Sequence, residues 1–409
     1  MTDGLRRIAM VSMHTSPADL PGRGDAGGMN VSILALASAL AARGVEVDLL
    51  TRADREPVDR ELAEGVSLRS LAAGPPTPIP KGRLVDVADE FGEAVATLVG
   101  RRAPRYDLLH AHYWLSGLAT LPVAIELGLP FVQSFHTLAA MKNRELGAGD
   151  TPEPEGRLRG EGFLVTQADA IVAGSSAEVT TLIDDLRTAP DRLWVIPPGV
   201  DTELFSPRRA RGDAVVRERL GLEPDRPLLV MAGRIQPLKD QELAVRILAQ
   251  VHASRGWAPL LVIAGEASDE AYRRRLDGVA SDLGVAGDVR FVGALDRETL
   301  ADLFAAAELT LMTSHSETFG LVALESAASG TPVIGYRGTG LVDSISDGES
   351  GVLVATRDAF DWAAVVVSLL GDAPRLARLG ASARGYAEGF TWATAAASLL
   401  AVYENLVRS

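Results

Sequence analysis

The chain has 409 residues, 47% of them hydrophobic and 23% charged, with a net charge of −14 and no cysteine. That length exceeds one ordinary core and predicts two domains. Lack of cysteine excludes disulfides, thiol nucleophiles and cysteine metal sites, and the acidic balance argues against nucleic acid as a partner.

The start, Met1-Thr2-Asp3-Gly4-Leu5-Arg6-Arg7, leads into a strand without a signal-peptide pattern. No apolar run reaches the ~18 residues that suggest a membrane span, so the expected location is the cytoplasm. Short β-rich apolar runs then alternate with segments of helical period, which predicts parallel α/β sheets covered on both faces. Strands are expected near Ile8–Met13, Val45–Thr51, Leu108–His112, Phe131–Phe135, Ala170–Ala173 and Trp194–Ile196. Helices such as Met29–Arg43 and Leu84–Arg101 lie between them, each with apolar residues on one face. Residues Pro197–Asp225, with prolines at 197, 198, 207 and 224, read as a linker. A second series of strands follows: Pro227–Gly233, Leu260–Ala264, Val289–Val292, Leu309–Met312, Val333–Gly335 and Val352–Val354. The tail, Thr391–Val407, has the period of an amphipathic helix and no strand after it, so it is expected to cross back.

The expected organisation is two Rossmann-like, doubly wound α/β domains facing a central cleft. Their bounds are 1–200 and 227–388, with a linker at 201–226 and a C-terminal helix at 389–409 packing on the first domain. Ligands of such sheets bind outside the carboxyl ends of the strands.

Five stretches fall at those ends. The loop His14–Asn30 leaves the first strand and finishes in Gly27-Gly28 at a helix start, where backbone amides can approach an anion; a mobile glycine-rich loop is the plainer alternative. His110, His112, Tyr113 and Trp114 follow one strand, and His136 and Thr137 follow another. These histidines come from separate strands without an acidic ligand at metal-binding spacing, so no metal site is expected, and structural roles are the stronger expectation for His110 and His112. Arg234 and Lys239, five apart around a proline turn, could clamp a diphosphate. Ser314–Glu325 places Glu317 and Glu325 on either side of Gly320 at a strand-to-helix turn. It reads either as a helix cap with an incidental second glutamate or as a site for a phosphate-bearing, hydroxyl-rich ligand. Lys81 and Arg157, taken alone, read as surface charge.

With these residues in place, the chain resembles the GT-B glycosyltransferases of family 4 over its whole length. The resemblance rests on the E-x7-E pair Glu317/Glu325 and on Arg234/Lys239. Within the family it is similar to the actinobacterial subgroup of mycothiol biosynthesis. The motifs are His14-Thr15-Ser16-Pro17, Gly24–Asn30, His112–Gly117, His136–Ala140 and Asp150–Glu153.

The resemblance implies a retaining transferase using UDP-N-acetylglucosamine as donor and 1D-myo-inositol 3-phosphate as acceptor. Arg234, Lys239 and the amides of Gly27 and Gly28 would hold the diphosphate. Glu325 would take the ribose hydroxyls, and Glu317 with Phe319, Gly320 and Leu321 the transferred sugar. Lys81, Tyr113, Thr137 and Arg157 would meet the acceptor phosphate, and His14 and Asn30 the inositol ring. His136 would lie near the anomeric carbon, forming the catalytic set with Arg234, Lys239 and Glu317. No cofactor is required for the chemistry, while a structural Mg ion is allowed. A homodimer is compatible with this picture. The chain departs from the subgroup at Ala294-Leu295, where an arginine is usual, leaving Arg297 as the nearest basic residue. Another family 4 transferase, using a different nucleotide sugar and acceptor, is the alternative.

Overall fold

The first eight strands are β1 (Arg7–Val11), β2 (Glu46–Arg52), β3 (Asp59–Ala63), β4 (Val66–Leu71), β5 (Leu108–His112), β6 (Phe131–Ser134), β7 (Ala170–Ala173) and β8 (Leu193–Val195). They form one sheet in the order β3-β4-β2-β1-β5-β6-β7-β8, parallel except for the β3–β4 hairpin. The next six are β9 (Leu228–Ala232), β10 (Leu260–Ala264), β11 (Val289–Gly293), β12 (Leu309–Met312), β13 (Val333–Tyr336) and β14 (Gly351–Val354). They make a second, parallel sheet in the order β11-β10-β9-β12-β13-β14. This architecture comes from a computed structural model that describes residues 5–102, 105–146, 151–208, 213–224 and 226–408. The reading of Met1–Gly4, Asp150 of the Asp150–Glu153 motif, and residues 209–212 and 225 of the linker lie outside them.

The expected strands are present because both faces of each sheet are covered: β1 and β5 are buried along their whole length. The β3–β4 hairpin was not expected. β3 reads Asp-Arg-Glu-Leu-Ala and is mostly exposed, the polar character of an edge strand rather than an apolar one. Two further differences are local. The expected helix at Leu84–Arg101 starts as a 3-10 turn, Lys81–Val87, before the α-helix Ala88–Arg101. The linker also contains a short helix, Asp213–Arg219.

The C-terminal helix, Trp392–Arg408, crosses back as expected. Its Ala395, Ala396, Leu399, Val402 and Tyr403 share one core with Ile8, Met10, Ile33 and Leu40. Among the described residues no helix is long and apolar enough to cross a membrane.

Strand order decides where a ligand can enter. The chain reverses direction across the first sheet between β1 and β5, and across the second between β9 and β12. Such switch points open a crevice at the strand carboxyl ends. The five motif-bearing stretches follow β1, β5, β6, β9 and β12.

Candidate functional site

Both switch points open on one cavity of about 830 Å³ between the sheets. From the first sheet it is lined by His14, Gly27, Gly28, Lys81, Tyr113, His136, Thr137 and Arg157. Arg234, Lys239, Glu317, Phe319, Gly320 and Leu321 line it from the second. Two expected site residues do not line this cavity. Asn30 is buried and spends its amide on the β1 loop, donating to Thr15 Oγ1 (3.0 Å) and Ser16 O (2.6 Å) and accepting from Gly27 N (3.0 Å). Glu325 is buried against Arg297 Nη1 at 2.9 Å.

On the first wall, Tyr113 and His136 follow β5 and β6 directly and take left-handed backbone conformations, φ 74° and 61°. Non-glycine residues persist there only when their surroundings hold them. The Tyr113 ring has Lys81 Nζ and the Arg157 guanidinium each 4.8 Å from its centroid, and the His14 ring 4.2 Å away. Burial and the Glu153 and Glu161 carboxylates hold the phenol up at about 12 despite Arg157.

Arg157 is 2% exposed, so it is not surface charge. It bonds Glu161 Oε1 (2.7 Å), Glu153 Oε2 (2.9 Å) and the carbonyl and hydroxyl of Thr137 (2.7 and 3.0 Å). Lys81 keeps 39% of its side chain open to the cleft. Its surroundings still pull the ammonium down to about 8. Burial is the main cause and Arg234, Arg157 and Lys142 add to it, while Asp25, 3.7 Å away, opposes.

On the second wall, Lys239 Nζ lies 2.5 Å from Glu317 Oε1, which also accepts from Ser314 Oγ at 2.7 Å. Arg234 reaches across the cleft to Asp25, 3.4 Å away. Gly320 has φ 90°, and a Cβ there would meet Leu341 at 2.4 Å, so the turn into helix Leu321–Ala328 requires glycine. A Cβ on Gly28 would come within 3.3 Å of Leu321, so the starts of helices Gly28–Ala41 and Leu321–Ala328 converge from opposite sides. Free amides and partial positive charge therefore meet in one place.

Several residues that shape the site carry little or no signal in the sequence. Asp25 lies between Lys81 and Arg234 as their shared counter-ion. Asp240, φ 50°, caps helix Gln241–Arg255 and pairs with Arg357, whose guanidinium also donates to Thr313 O (2.6 Å). That arrangement ties the Lys239 turn to the Glu317 loop. Glu178 lines the cleft with a carboxyl that burial raises to about 7, and it accepts from Gly174 N at 2.8 Å. Its only sequence signal, Ser175-x-x-Glu178, is that of a helix cap. Ala294 packs beside the β1 loop, 3.6 Å from a Cβ built on Gly22, so a larger side chain would press on that loop.

Known proteins resemble this chain over nearly its whole length. Residues 27–199 match the glycosyl transferase 4-like domain and residues 214–386 match glycosyl transferases group 1. D-inositol 3-phosphate glycosyltransferase of Stackebrandtia nassauensis is 43% identical, with 99% of this chain and 93% of that protein covered. The Acidothermus cellulolyticus protein of the same name is 41% identical, at 98% and 90%. Among solved structures, sucrose-phosphate synthase from Thermosynechococcus elongatus superposes with a TM-score of 0.89 at 31% identity, covering 98% of this chain and 99% of its own. Anabaena HepE, solved in complex with UDP-glucose, shares the fold at a TM-score of 0.75 and 20% identity, covering 97% of this chain and 98% of its own.

Proposed function

This chain belongs to glycosyltransferase family 4, and from that membership we propose that it is a retaining enzyme transferring N-acetylglucosamine from UDP-N-acetylglucosamine to 1D-myo-inositol 3-phosphate. The observation that carries this reading is the division of one cleft into two cationic walls. Lys81, Tyr113, Thr137 and Arg157 converge on one side, Arg234 and Lys239 lie on the other, and one helix start from each side meets between them. The first wall suits a phosphate on a small acceptor, and the second a diphosphate leaving group.

Departure of UDP builds charge on its diphosphate. Arg234, Lys239 and the amides at Gly28 and Leu321 stabilise that charge most where it develops, whereas the Gly27 amide, expected to share in this, is spent on Asn30 Oδ1. Asp25 holds the place between Lys81 and Arg234 and would yield it to ligand phosphate. Glu317 and the amides of Phe319 and Gly320 hold the transferred sugar, while Glu325, buried against Arg297 outside the cavity lining, reaches the ribose hydroxyls only by leaving that pair. His14 meets the inositol ring, and Asn30 acts by holding the β1 loop. The leaving phosphate takes the acceptor proton in a front-face attack, so no side chain serves as general base. A second reading, a different nucleotide sugar, is favoured by Ala294 where the subgroup has arginine and by Arg297 being committed to Glu325.

Two measurements test these assignments. UDP release should require both UDP-N-acetylglucosamine and inositol 3-phosphate. Release independent of the acceptor, or faster release from a GDP- or ADP-sugar, would overturn the specific reading. Lys81 supplies the second. Its ammonium is charged below about 8 and neutral above, so the acceptor KM should rise about tenfold between about pH 7 and about pH 9. Lys81→Ala should raise the acceptor KM at neutral pH and flatten that profile while leaving the donor KM unchanged. An equal effect on donor KM would refute the division of the cleft.

A further inference from the structure

In the cleft wall the histidine that ends β5 and the one in the loop after β6 meet nitrogen to nitrogen: His112 Nδ1 lies 2.9 Å from His136 Nε2. Burial keeps both rings neutral at physiological pH, holding His136 down at about 4 and His112 well below the ordinary imidazole value. A neutral imidazole has one N–H and one lone pair, so a single proton lies between these two nitrogens and its owner decides both tautomers.

The other nitrogen of His112 settles the owner. His112 is 1% exposed and its Nε2 is buried without a partner among the described residues. The neighbouring His110 ring lies 4.1 Å away, tilted by 33°, and its nitrogens are committed to the Tyr403 hydroxyl (2.6 Å) and Ser134 Oγ (2.9 Å). If His136 owned the shared proton, His112 would carry a buried N–H aimed at nothing. If His112 owns it, only a bare lone pair is left over. Orphaned buried N–H groups are the rarer and costlier outcome.

We propose that His112 is a positioning residue that donates from Nδ1 to His136 Nε2, so that His136 carries its own proton on Nδ1 as a hydrogen-bond donor for a ligand oxygen in the cleft. His136 lines the cavity and is only half-buried. Its single lone pair faces His112, so the ring cannot take a proton from an acceptor hydroxyl without first breaking that bond. The tautomer assignment stands on the contacts and burial of the two rings; that the oxygen belongs to a sugar or phosphate rests on the glycosyltransferase reading.

Long-range 1H–15N NMR of the full chain labelled at histidine tests it. At neutral pH His136 should show a protonated, pyrrole-type Nδ1 and a pyridine-type Nε2, and His112 the same pattern. A pyridine-type Nδ1 on His136 would overturn the proposal whether or not the protein transfers a sugar. His112→Ala should move His136 toward its Nε2-protonated form and lower kcat at least about tenfold with both KM values little changed. His112→Asn, whose side-chain amide can replace the Nδ1 donor, should restore both tautomer and turnover. An unaltered His136 tautomer in folded His112→Ala would also contradict it. The expected tautomers in a wild-type protein inactive toward these substrates would instead reject the substrate reading and keep the histidine assignment.

Discussion

Lys239→Ala is expected to lower kcat by about 100- to 1,000-fold, the cost of removing one charge-stabilising donor from a pre-organised site. Lys239 has no freedom to be replaced by a neighbour. Its turn is held by Asp240 and Arg357, which fasten it to the loop carrying Glu317, and its ammonium is 2.5 Å from that carboxylate. The same substitution leaves Glu317 relying on the Ser314 hydroxyl, so sugar positioning should suffer together with leaving-group stabilisation. Steady-state rates at saturating donor and acceptor check this. A fall of less than about fivefold would show that the diphosphate is not held here.

The second large effect is on stability. Arg157→Ala removes the ion partner of Glu161, whose side chain has no exposed surface, and one of the two ion partners of Glu153, and it empties the contact beneath Tyr113. Breaking a buried ion pair from one side costs about 3–5 kcal/mol, because the remaining charge is buried and unpaired. Burial already raises the Glu161 carboxyl, and without Arg157 it rises further. The loss should therefore shrink as pH falls and Glu161 takes up a proton. Urea unfolding at neutral and acid pH measures both. A loss below about 1 kcal/mol would mean that Arg157 is held for binding alone. Because this variant disturbs the wall itself, Lys81 is the cleaner probe of acceptor affinity.

Much of the molecule is legible in its amino-acid sequence. Strands such as β1, β5 and β12 are mostly apolar and buried throughout because both faces are covered, and each gives way to polar residues at its carboxyl end, so the functional edge of both sheets is visible. β3 is not, since an exposed edge strand carries charges and loses the pattern that marks its neighbours. Single charges are also ambiguous. Arg157 and a solvated helix arginine look alike in sequence, and only burial beside Glu153, Glu161 and Thr137 separates them. Pairs made across the fold leave no local trace: Arg357 reaches Asp240 from 117 residues away, and Arg297 takes up Glu325 from 28. Asn30 shows the converse. It lies in the right loop, but its amide serves the loop itself.

The most direct measurement of the two-walled cleft is NMR of the purified product from UDP-α-N-acetylglucosamine and 1D-myo-inositol 3-phosphate. The predicted product is an α-linked N-acetylglucosaminyl inositol phosphate formed in step with UDP. A β linkage would contradict retention, and hydrolysed sugar with no inositol conjugate would contradict the acceptor wall.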